Sequence, residues 1–356
     1  MDTAVAYHLM VRMRLIDSAL VEAWADGIVP GEYHSGIGEE GINAGILMHL
    51  GPDDSIALDH RNTAPLIGRG SDPRGLMLEV LGSEAGMNGG MAGHMHLIDP
   101  DVRSAADGMV GAAGPLAVGA AVAGRELRPR SVAIAFHGEA AMNQGMLMEA
   151  YNMAVAWKLP VIFACKDNAW SITTRSTEVT GGDPAGRAKS FGLRVETASG
   201  HDVKSVHAAA GRLIRAARAG KGPGFLHVTC HRPGGHFEGD PLVRFVRNPR
   251  AETRTLLPDV ISAVRENAEP TLRGRVHGAA VLGGRVGHVV RDWTLARRKD
   301  PVARARRLLD EQDAVRIERD VTNELTPVIA DVREAVAGRA VFGSPSPATT
   351  TPRSRR

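Results

Sequence analysis

A carboxylate and a carboxamide stand at the ends of two neighbouring strand-like segments of this sequence. Ser131–Phe136 alternates small and branched apolar residues, which is typical of a buried parallel strand, and Glu139 follows it closely. A second apolar run, Val161–Cys165, ends shortly before Asn168. Ligands of open parallel sheets bind beyond the carboxyl ends of the strands. We therefore expect Glu139 and Asn168 to face one binding site.

Oxygen donors of this kind suit a hard divalent cation. Mg²⁺ takes near-octahedral oxygen coordination and usually draws one or two ligands from protein, the rest coming from water and phosphate. Glu139, the side-chain oxygen of Asn168 and the carbonyl oxygen of Trp170 would form such a set. Asn143–Trp157 has helical spacing and begins beside this point, so its free amide groups could face a pyrophosphate. The alternative is that Gly138 only makes a turn and Glu139 is a solvated loop acid.

Strand-like and helical segments alternate on both sides of this site. The predicted strands include Ser55–Leu58, Arg194–Thr197 and Phe225–Cys230. The predicted helices include Tyr7–Trp24, Gly41–Leu50, Pro115–Gly124 and Val203–Ala219. Such alternation predicts an α/β fold with a doubly wound, mainly parallel sheet.

Composition indicates a large globular protein. The chain has 356 residues, of which 43% are hydrophobic, enough to bury a sizeable core. No apolar run is long enough to span a bilayer, so we expect no membrane association. The net charge of +3 is small for this length and does not indicate nucleic-acid binding. Cys165 and Cys230 end strand-like runs and are expected to be buried free thiols, which fits a cytoplasmic location.

Three regions are predicted along the chain. An α/β domain with an N-terminal helix should occupy residues 1–290, with an atypical loop region near residues 244–290. A helical segment should follow over residues 291–340. The tail, residues 341–356, is rich in Pro, Ser and Thr and is expected to be disordered.

The segment Ser131–Thr174 resembles a known cofactor-binding motif. It is similar to the thiamine diphosphate motif of two-subunit 2-oxo acid dehydrogenases, Gly-Asp-Gly followed about thirty residues on by Asn-Asn. The resemblance is to the alpha subunit of the decarboxylase component of pyruvate, branched-chain and acetoin dehydrogenase complexes. Further motifs occur in the expected order at Gly31–Glu40, Gly89–His96, Gly108–Gly111 and Gly235–Pro241, so that the resemblance covers roughly Val5–Pro241.

The resemblance implies roles for individual residues. Arg61 would contact the diphosphate, and His236 would reach both the diphosphate and the substrate, which makes it the candidate catalytic residue. His34 and His96 also match family positions, and we assign both a structural hydrogen-bonding role. The implied metal ligands are Glu139, Asn168 and Trp170. The implied cofactor-binding residues are His60, Arg61, Gly108, Val110, Gly138, Glu139, Ala140, Ala141, Asn168 and His236.

The resemblance also implies an activity and partners. The chain would be the alpha subunit of an oxidoreductase that uses thiamine diphosphate and Mg²⁺ to decarboxylate a 2-oxo acid, or to cleave acetoin. Its fold would be the diphosphate-binding type of the thiamine diphosphate-binding fold. The sequence contains a single such α/β unit, so a beta subunit is implied, in an α2β2 heterotetramer. A lipoyl acyltransferase is the implied partner that would receive the acyl group on its lipoyl arm.

Several residues depart from the family pattern. Glu139 and Ala140 stand in place of Asp and Gly, Thr63 replaces a common histidine, and Gly234 replaces the first histidine of His-Gly-His. These changes leave two alternatives open. One is the same cofactor chemistry with a different acyl acceptor in a specialised pathway, and the other is a catalytically impaired assembly or regulatory paralogue. A nicotinamide-dependent dehydrogenase is disfavoured because no Gly-x-Gly-x-x-Gly opens the helix after Phe136.

Overall fold

A seven-stranded, mainly parallel sheet forms the centre of the protein. The computed structural model describes residues 1–248, 284 and 287–338. The strand order in the sheet is β2-β3-β1-β4-β5-β9-β8, and every neighbouring pair is parallel except β2 with β3. Its strands are β1 (Ser55–Leu58), β2 (Ile98–Asp99), β3 (Ser104–Ala106), β4 (Ala133–Gly138), β5 (Val161–Asp167), β8 (Arg194–Ser199) and β9 (Gly224–Thr229), while β6 (Trp170–Ser171) and β7 (Thr174–Arg175) form a separate hairpin.

Helices surround this sheet. They are α1 (Thr3–Ala25), α2 (Glu40–Leu47), α3 (Thr63–Arg69), α4 (Pro73–Val80), α5 (Ala113–Leu127), α6 (Gly145–Ala156), α7 (Ser176–Val179), α8 (Pro184–Ser190), α9 (Val203–Arg218), α10 (Pro241–Arg247), α11 (residues 287–298), α12 (Pro301–Arg306) and α13 (Glu311–Ala335). Within these described ranges, none of the helices is long and apolar enough to cross a membrane.

The two faces of the sheet carry separate hydrophobic cores. Alternate residues of β4 enter opposite clusters, Ile134 and Phe136 on one side and Ala133 and Ala135 on the other, because successive side chains of a strand point to opposite faces. The first core also contains side chains of α1, α2 and α9, and the second contains side chains of α5 and α6. Helices therefore cover both faces, which confirms the predicted α/β fold with its mainly parallel sheet.

The strands that lead to the site end two residues later than predicted. β4 ends at Gly138, which pairs with Lys166 of β5, and β5 ends at Asp167, which pairs with Thr229 of β9. The helix expected from Asn143 begins at Gly145 instead. A 3₁₀ turn, Glu139–Asn143, comes first, and the extended backbone of Gln144 separates it from α6. The sheet edge therefore carries Glu139 on a tight turn of its own.

The C-terminal helix belongs to the same core as the first helix. α13 buries Ala314, Val321 and Leu325 in the cluster that contains α1. Both cysteines are buried free thiols, as predicted. The predicted division near residue 290 stays a prediction. Most of the 244–290 region and the whole 341–356 tail lie outside the described residues.

Candidate active site

The structure brings Glu139 and Asn168 together at the carboxyl ends of β4 and β5. Glu139 is only 2% exposed. Its Oε2 lies 3.4 Å from the backbone nitrogen of Asn168, which donates a long hydrogen bond to it. The contact follows from the register, because Gly138 and Lys166 are paired immediately before the two residues. The solvated loop acid considered as an alternative does not describe this side chain.

The electrostatics of Glu139 are unusual for a glutamate. Burial, followed by the nearby charge of Asp167, raises its pKa from 4.5 to about 7. The Ser176 hydroxyl donates a hydrogen bond of 2.5 Å to Oε1 and favours the charged form. Within the described part of the chain, no basic side chain forms an ion pair with this carboxylate. A bound cation would therefore supply the missing countercharge.

Asn168 presents its side-chain oxygen towards the same region. This Oδ1 accepts hydrogen bonds from the Trp170 backbone nitrogen at 3.1 Å and from Nη2 of Arg232 at 2.9 Å. Ala169, between them, adopts a left-handed backbone with φ of 66°. The Trp170 indole nitrogen donates to Asp292 at 2.6 Å, which fixes the start of the β6–β7 hairpin. A metal ion that bound this oxygen would compete with the Arg232 guanidinium for it.

Arg61 lies beyond the end of β1 and lines the same cleft as these residues. It is 4% exposed, and its Nη1 donates to the Ser35 carbonyl at 2.7 Å. Its Nη2 donates to the carbonyl oxygen of His236, and its Nε lies 3.8 Å from a carboxylate oxygen of Glu39. A planar guanidinium held in this way keeps a fixed positive charge in the cleft. Such a group is well suited to an anionic ligand.

Four histidine rings pack beside Arg61. The ring of His34 lies 4.8 Å from that of His60 and 4.9 Å from that of His236, between centroids. A hydrogen bond of 2.9 Å joins His34 Nδ1 to Nε2 of His94. Burial, followed by the charge of Arg61, lowers the pKa of His236 to about 4, and the same two causes lower that of His60. These rings are therefore uncharged near neutral pH and available as hydrogen-bond donors or acceptors.

One cleft of about 270 Å³ unites the predicted site. It is lined by every predicted residue: His60, Arg61, Gly108, Val110, Gly138, Glu139, Ala140, Ala141, Asn168, Trp170 and His236. Gly108 packs closely in the cleft wall, because a Cβ atom would lie 3.2 Å from the sulfur of Met95 and 3.3 Å from Nε2 of His96. The Nε2 atom of His60 is buried without a hydrogen-bond partner among the described residues.

Sequence reasoning missed a buried ion cluster at the floor of the cleft. The Lys166 Nζ lies 2.8 Å from Glu39 and 3.0 Å from Asp59, and all three residues line the cleft. Burial alone would lower the pKa of Lys166, but the two carboxylates raise it to about 12. Glu39 lies in a quoted motif, yet nothing in the sequence pairs it with residues this distant. Ser176, Arg232 and the cleft position of His34 were missed for the same reason.

The donor set fits a hard cation bound to a diphosphate. Glu139 and Asn168 offer oxygen atoms, which Mg²⁺ prefers. Arg61, with the neighbouring imidazoles of His60 and His236, offers N–H groups to the same cleft. The unpartnered Nε2 of His60 is a further polar atom that a ligand could satisfy.

The chain is similar to several known proteins. The family model described as the dehydrogenase E1 component matches residues 7–267. The alpha subunit of acetoin:2,6-dichlorophenolindophenol oxidoreductase from Cupriavidus necator is 39% identical over 236 residues, which cover 66% of this chain and 71% of that protein. Its Bacillus subtilis counterpart is 34% identical over 248 residues, which cover 69% of this chain and 74% of that protein. The pyruvate dehydrogenase E1 component subunit alpha of Rhizobium meliloti is 32% identical over 242 residues, covering 67% and 70%. The resemblance predicted from the motifs is thus confirmed, and this chain belongs to the dehydrogenase E1 component family.

Proposed function

We propose that this chain is the alpha subunit of a two-subunit, thiamine diphosphate-dependent oxidoreductase that decarboxylates a 2-oxo acid or cleaves acetoin. The observation that carries the proposal is the single cleft lined by every residue predicted from the motifs. The names of the relatives from Cupriavidus necator, Bacillus subtilis and Rhizobium meliloti support both substrate classes.

In this proposal different residues of the cleft bind the metal and the diphosphate. Glu139, the Asn168 side-chain oxygen and the Trp170 carbonyl hold Mg²⁺, while Arg61 and His60 bind the diphosphate. The walls of the diphosphate site are Gly108, Val110, Gly138, Ala140 and Ala141. When bound, thiamine diphosphate supplies the electron sink for cleavage of a carbon–carbon bond.

His236 is the proposed catalytic residue of this chain. Its carbonyl oxygen is held by Arg61, and its backbone nitrogen donates to Asp240 at 3.0 Å, so the backbone that carries the ring is fixed. The imidazole is neutral near pH 7 because burial and Arg61 hold its pKa at about 4. It can therefore orient a substrate oxygen by hydrogen bonding, or accept a proton at a ring nitrogen that has a lone pair.

The proposal includes a beta subunit in an α2β2 assembly. Met109 and Val110, beside the cleft, are 61% and 52% exposed, and exposed apolar groups of this kind suit coverage by a partner. The names of the acetoin-related proteins describe each as a subunit alpha, which supports the same reading. We further propose a lipoyl acyltransferase as the acyl acceptor. A cytoplasmic location is supported by the two buried free thiols.

A second candidate is a catalytically impaired assembly or regulatory subunit. The Asn168 side-chain oxygen already accepts two hydrogen bonds, one of them from the cationic Arg232. Glu139 must also reach the metal with a longer side chain than aspartate. A paralogue that had lost metal binding would retain such contacts permanently. The two candidates differ in whether the assembled complex binds Mg²⁺ and thiamine diphosphate.

Calorimetry on the co-expressed complex with its beta subunit separates these candidates. We expect Mg²⁺-dependent binding of thiamine diphosphate by the native complex and its loss in Glu139→Ala. Glu126→Ala, which removes an exposed glutamate of α5, serves as the matched control and should bind like the native complex. Absence of binding in the intact native complex would refute the enzymatic proposal. Turnover of 2-oxo acids and acetoin, with and without a lipoyl acceptor, then identifies the substrate and tests the alternative of another acyl acceptor.

A further inference from the structure

We propose that Ser176 is a positioning residue for the metal-binding carboxylate: its hydroxyl holds Oε1 of Glu139 and thereby directs Oε2 towards Asn168 and the cation. This inference rests on the proposed function. It concerns a residue outside the motifs that predicted the site.

The contact itself is short and buried. The Ser176 Oγ lies 2.5 Å from Oε1 of Glu139, and the two residues are 8% and 2% exposed. A hydroxyl that donates to a carboxylate at this distance forms a charge-assisted hydrogen bond, which is about twice as strong as a neutral one. The other oxygen, Oε2, accepts a long hydrogen bond of 3.4 Å from the Asn168 backbone nitrogen. One oxygen is thus held, and the other remains available to a metal.

Ser176 is fixed by the same loop that supplies the other ligands. Its backbone nitrogen donates to the carbonyl of Ala169 at 3.1 Å, which joins Ser176 to the residue between Asn168 and Trp170. Its own carbonyl accepts from the Thr180 backbone nitrogen at 2.8 Å. The segment after β5 therefore turns back through the β6–β7 hairpin and presents the hydroxyl to Glu139. A displacement of this loop would move Asn168, Trp170 and Ser176 together.

The greater length of glutamate explains why a hydrogen bond from Ser176 would help to position the carboxylate. Glutamate exceeds aspartate by one carbon–carbon bond of about 1.5 Å and has one more rotatable bond, so more of its conformations miss the metal. A hydrogen bond at Oε1 selects one of those conformations before the cation arrives. Aspartate at position 139 would be too short to keep the same contact with Ser176. The positioning role is therefore specific to glutamate at this place.

The buried state of Glu139 indicates that the selected conformation serves a cation. Glutamate is almost never fully buried unless it is paired. The described ranges contain no ion pair to this carboxylate, although Lys166 and Arg61 lie in the same cleft and pair with other acids. Ser176 cannot neutralise the charge but can orient it. An oriented, uncompensated carboxylate beside Asn168 is the arrangement expected before a hard divalent ion binds.

A double-mutant cycle tests this inference on the intact complex with the beta subunit and saturating thiamine diphosphate. The readout is the affinity for Mn²⁺, measured by electron paramagnetic resonance of the free ion, with Mg²⁺ measured by competition. We expect Ser176→Ala to weaken affinity about tenfold or more, as the loss of a hydrogen bond to a charged group implies. Ser176→Thr keeps the hydroxyl and should retain most of the affinity. Thr177→Ala, the adjacent exposed hydroxyl on α7, is the matched control and should change nothing.

The second half of the cycle uses Glu139→Asp. In that background Ser176→Ala should have no further effect, because the shorter carboxylate does not reach the hydroxyl. An equal loss in both backgrounds would indicate a general structural role and would overturn the inference, as would unchanged affinity in Ser176→Ala alone. If the native complex bound no metal, the proposed function would fail and this inference with it. Metal binding that is indifferent to Ser176 would overturn this inference alone.

Discussion

Lys166 and Glu39 form an ion pair of 2.8 Å between side chains that are 2% and 1% exposed. Asp59 completes the cluster at 3.0 Å from the same ammonium group. These residues come from the end of β5, the residue before α2 and the segment after β1. The cluster therefore ties three separate parts of the chain together beneath the cleft.

Loss of the Lys166 ammonium group should strongly destabilise the folded protein. Among the described residues, Lys166→Met would leave the buried Glu39 with only the 3.8 Å contact to Arg61 and would remove the Lys166 ammonium from the half-buried Asp59, and breaking a buried pair in this way costs about 3–5 kcal/mol of unfolding free energy. Denaturant unfolding of the purified chain measures the effect. Arg212→Met removes one partner of an exposed pair with Glu196 and should cause little change. Similar stabilities for the two variants would contradict the assigned importance of the buried cluster.

Substitution by alanine should have opposite effects on stability at two helical glycines, Gly41 and Gly119. A Cβ atom at Gly41 in α2 would lie 2.4 Å from the carbonyl oxygen of Gly200, a backbone atom that cannot move independently. Gly41→Ala should therefore cost about 1–3 kcal/mol. Gly119 in α5 has no atom within 4 Å of that position, so Gly119→Ala should stabilise the helix by about 0.5–1 kcal/mol. Thermal unfolding of both variants checks the prediction, and a stable Gly41→Ala would show that the contact relaxes easily.

Arg61 should not be replaceable by lysine. Its guanidinium donates to two carbonyl oxygens, those of Ser35 and His236, and a lysine ammonium lacks the planar fork that reaches both. We expect Arg61→Lys to weaken thiamine diphosphate binding by the complex about tenfold or more, since a hydrogen bond to a charged group contributes about 1.5–3 kcal/mol. Calorimetry measures the change. Arg69→Lys is the control, because Arg69 also binds two carbonyl groups, of Gly51 and Asp54, but does not line the cleft. Equal losses of affinity would point to a general effect on stability.

Asp17 should make stability fall as pH rises from about 4 to 7. Burial, opposed by the hydrogen bond from Tyr33, raises the pKa of this carboxyl from 3.8 to about 7. Between these values the folded protein holds one proton more than the unfolded chain, so the unfolding free energy decreases with increasing pH. Asp17→Asn removes this contribution. Its stability relative to the native chain should therefore increase through that range, as measured by urea unfolding at several pH values. A constant difference between the two proteins would exclude the shift.

The predictable parts of the site are those that follow directly after a recognisable strand in the sequence. The apolar runs before Glu139 and Asn168 predicted two adjacent strands, and the β4–β5 register brings these residues together. Arg61 and His236 could be assigned to the same cleft only through the resemblance, since 175 positions separate them in the sequence. The pairing of Lys166 with Glu39 could not be predicted, because no periodic pattern in the sequence relates these two distant residues. Ser176 likewise depends on the path of the loop after Asn168, which the sequence does not define.

Boundaries were less predictable than the elements themselves. The strands were predicted to stop at Phe136 and Cys165, but each continues for two more residues because inter-strand pairing extends to Gly138 and Asp167. The polar residues His137 and Lys166 interrupt the apolar pattern without ending the strands. Both are buried by tertiary contacts, His137 beside Tyr151 and Lys166 between two carboxylates. Hydropathy alone does not contain that information.

The contact between α1 and α13 has a consequence for the order of folding. The Tyr7 hydroxyl donates to Glu318 across a sequence separation of 311 residues, and α13 buries its apolar side chains against α1. During synthesis, α1 leaves the ribosome long before α13 is made. The apolar side chains of α1 therefore lack their contacts with α13 until synthesis reaches that helix. Closing so long a loop is costly in entropy and slow. This part of the core can therefore be completed only after almost all of the described chain has been synthesised.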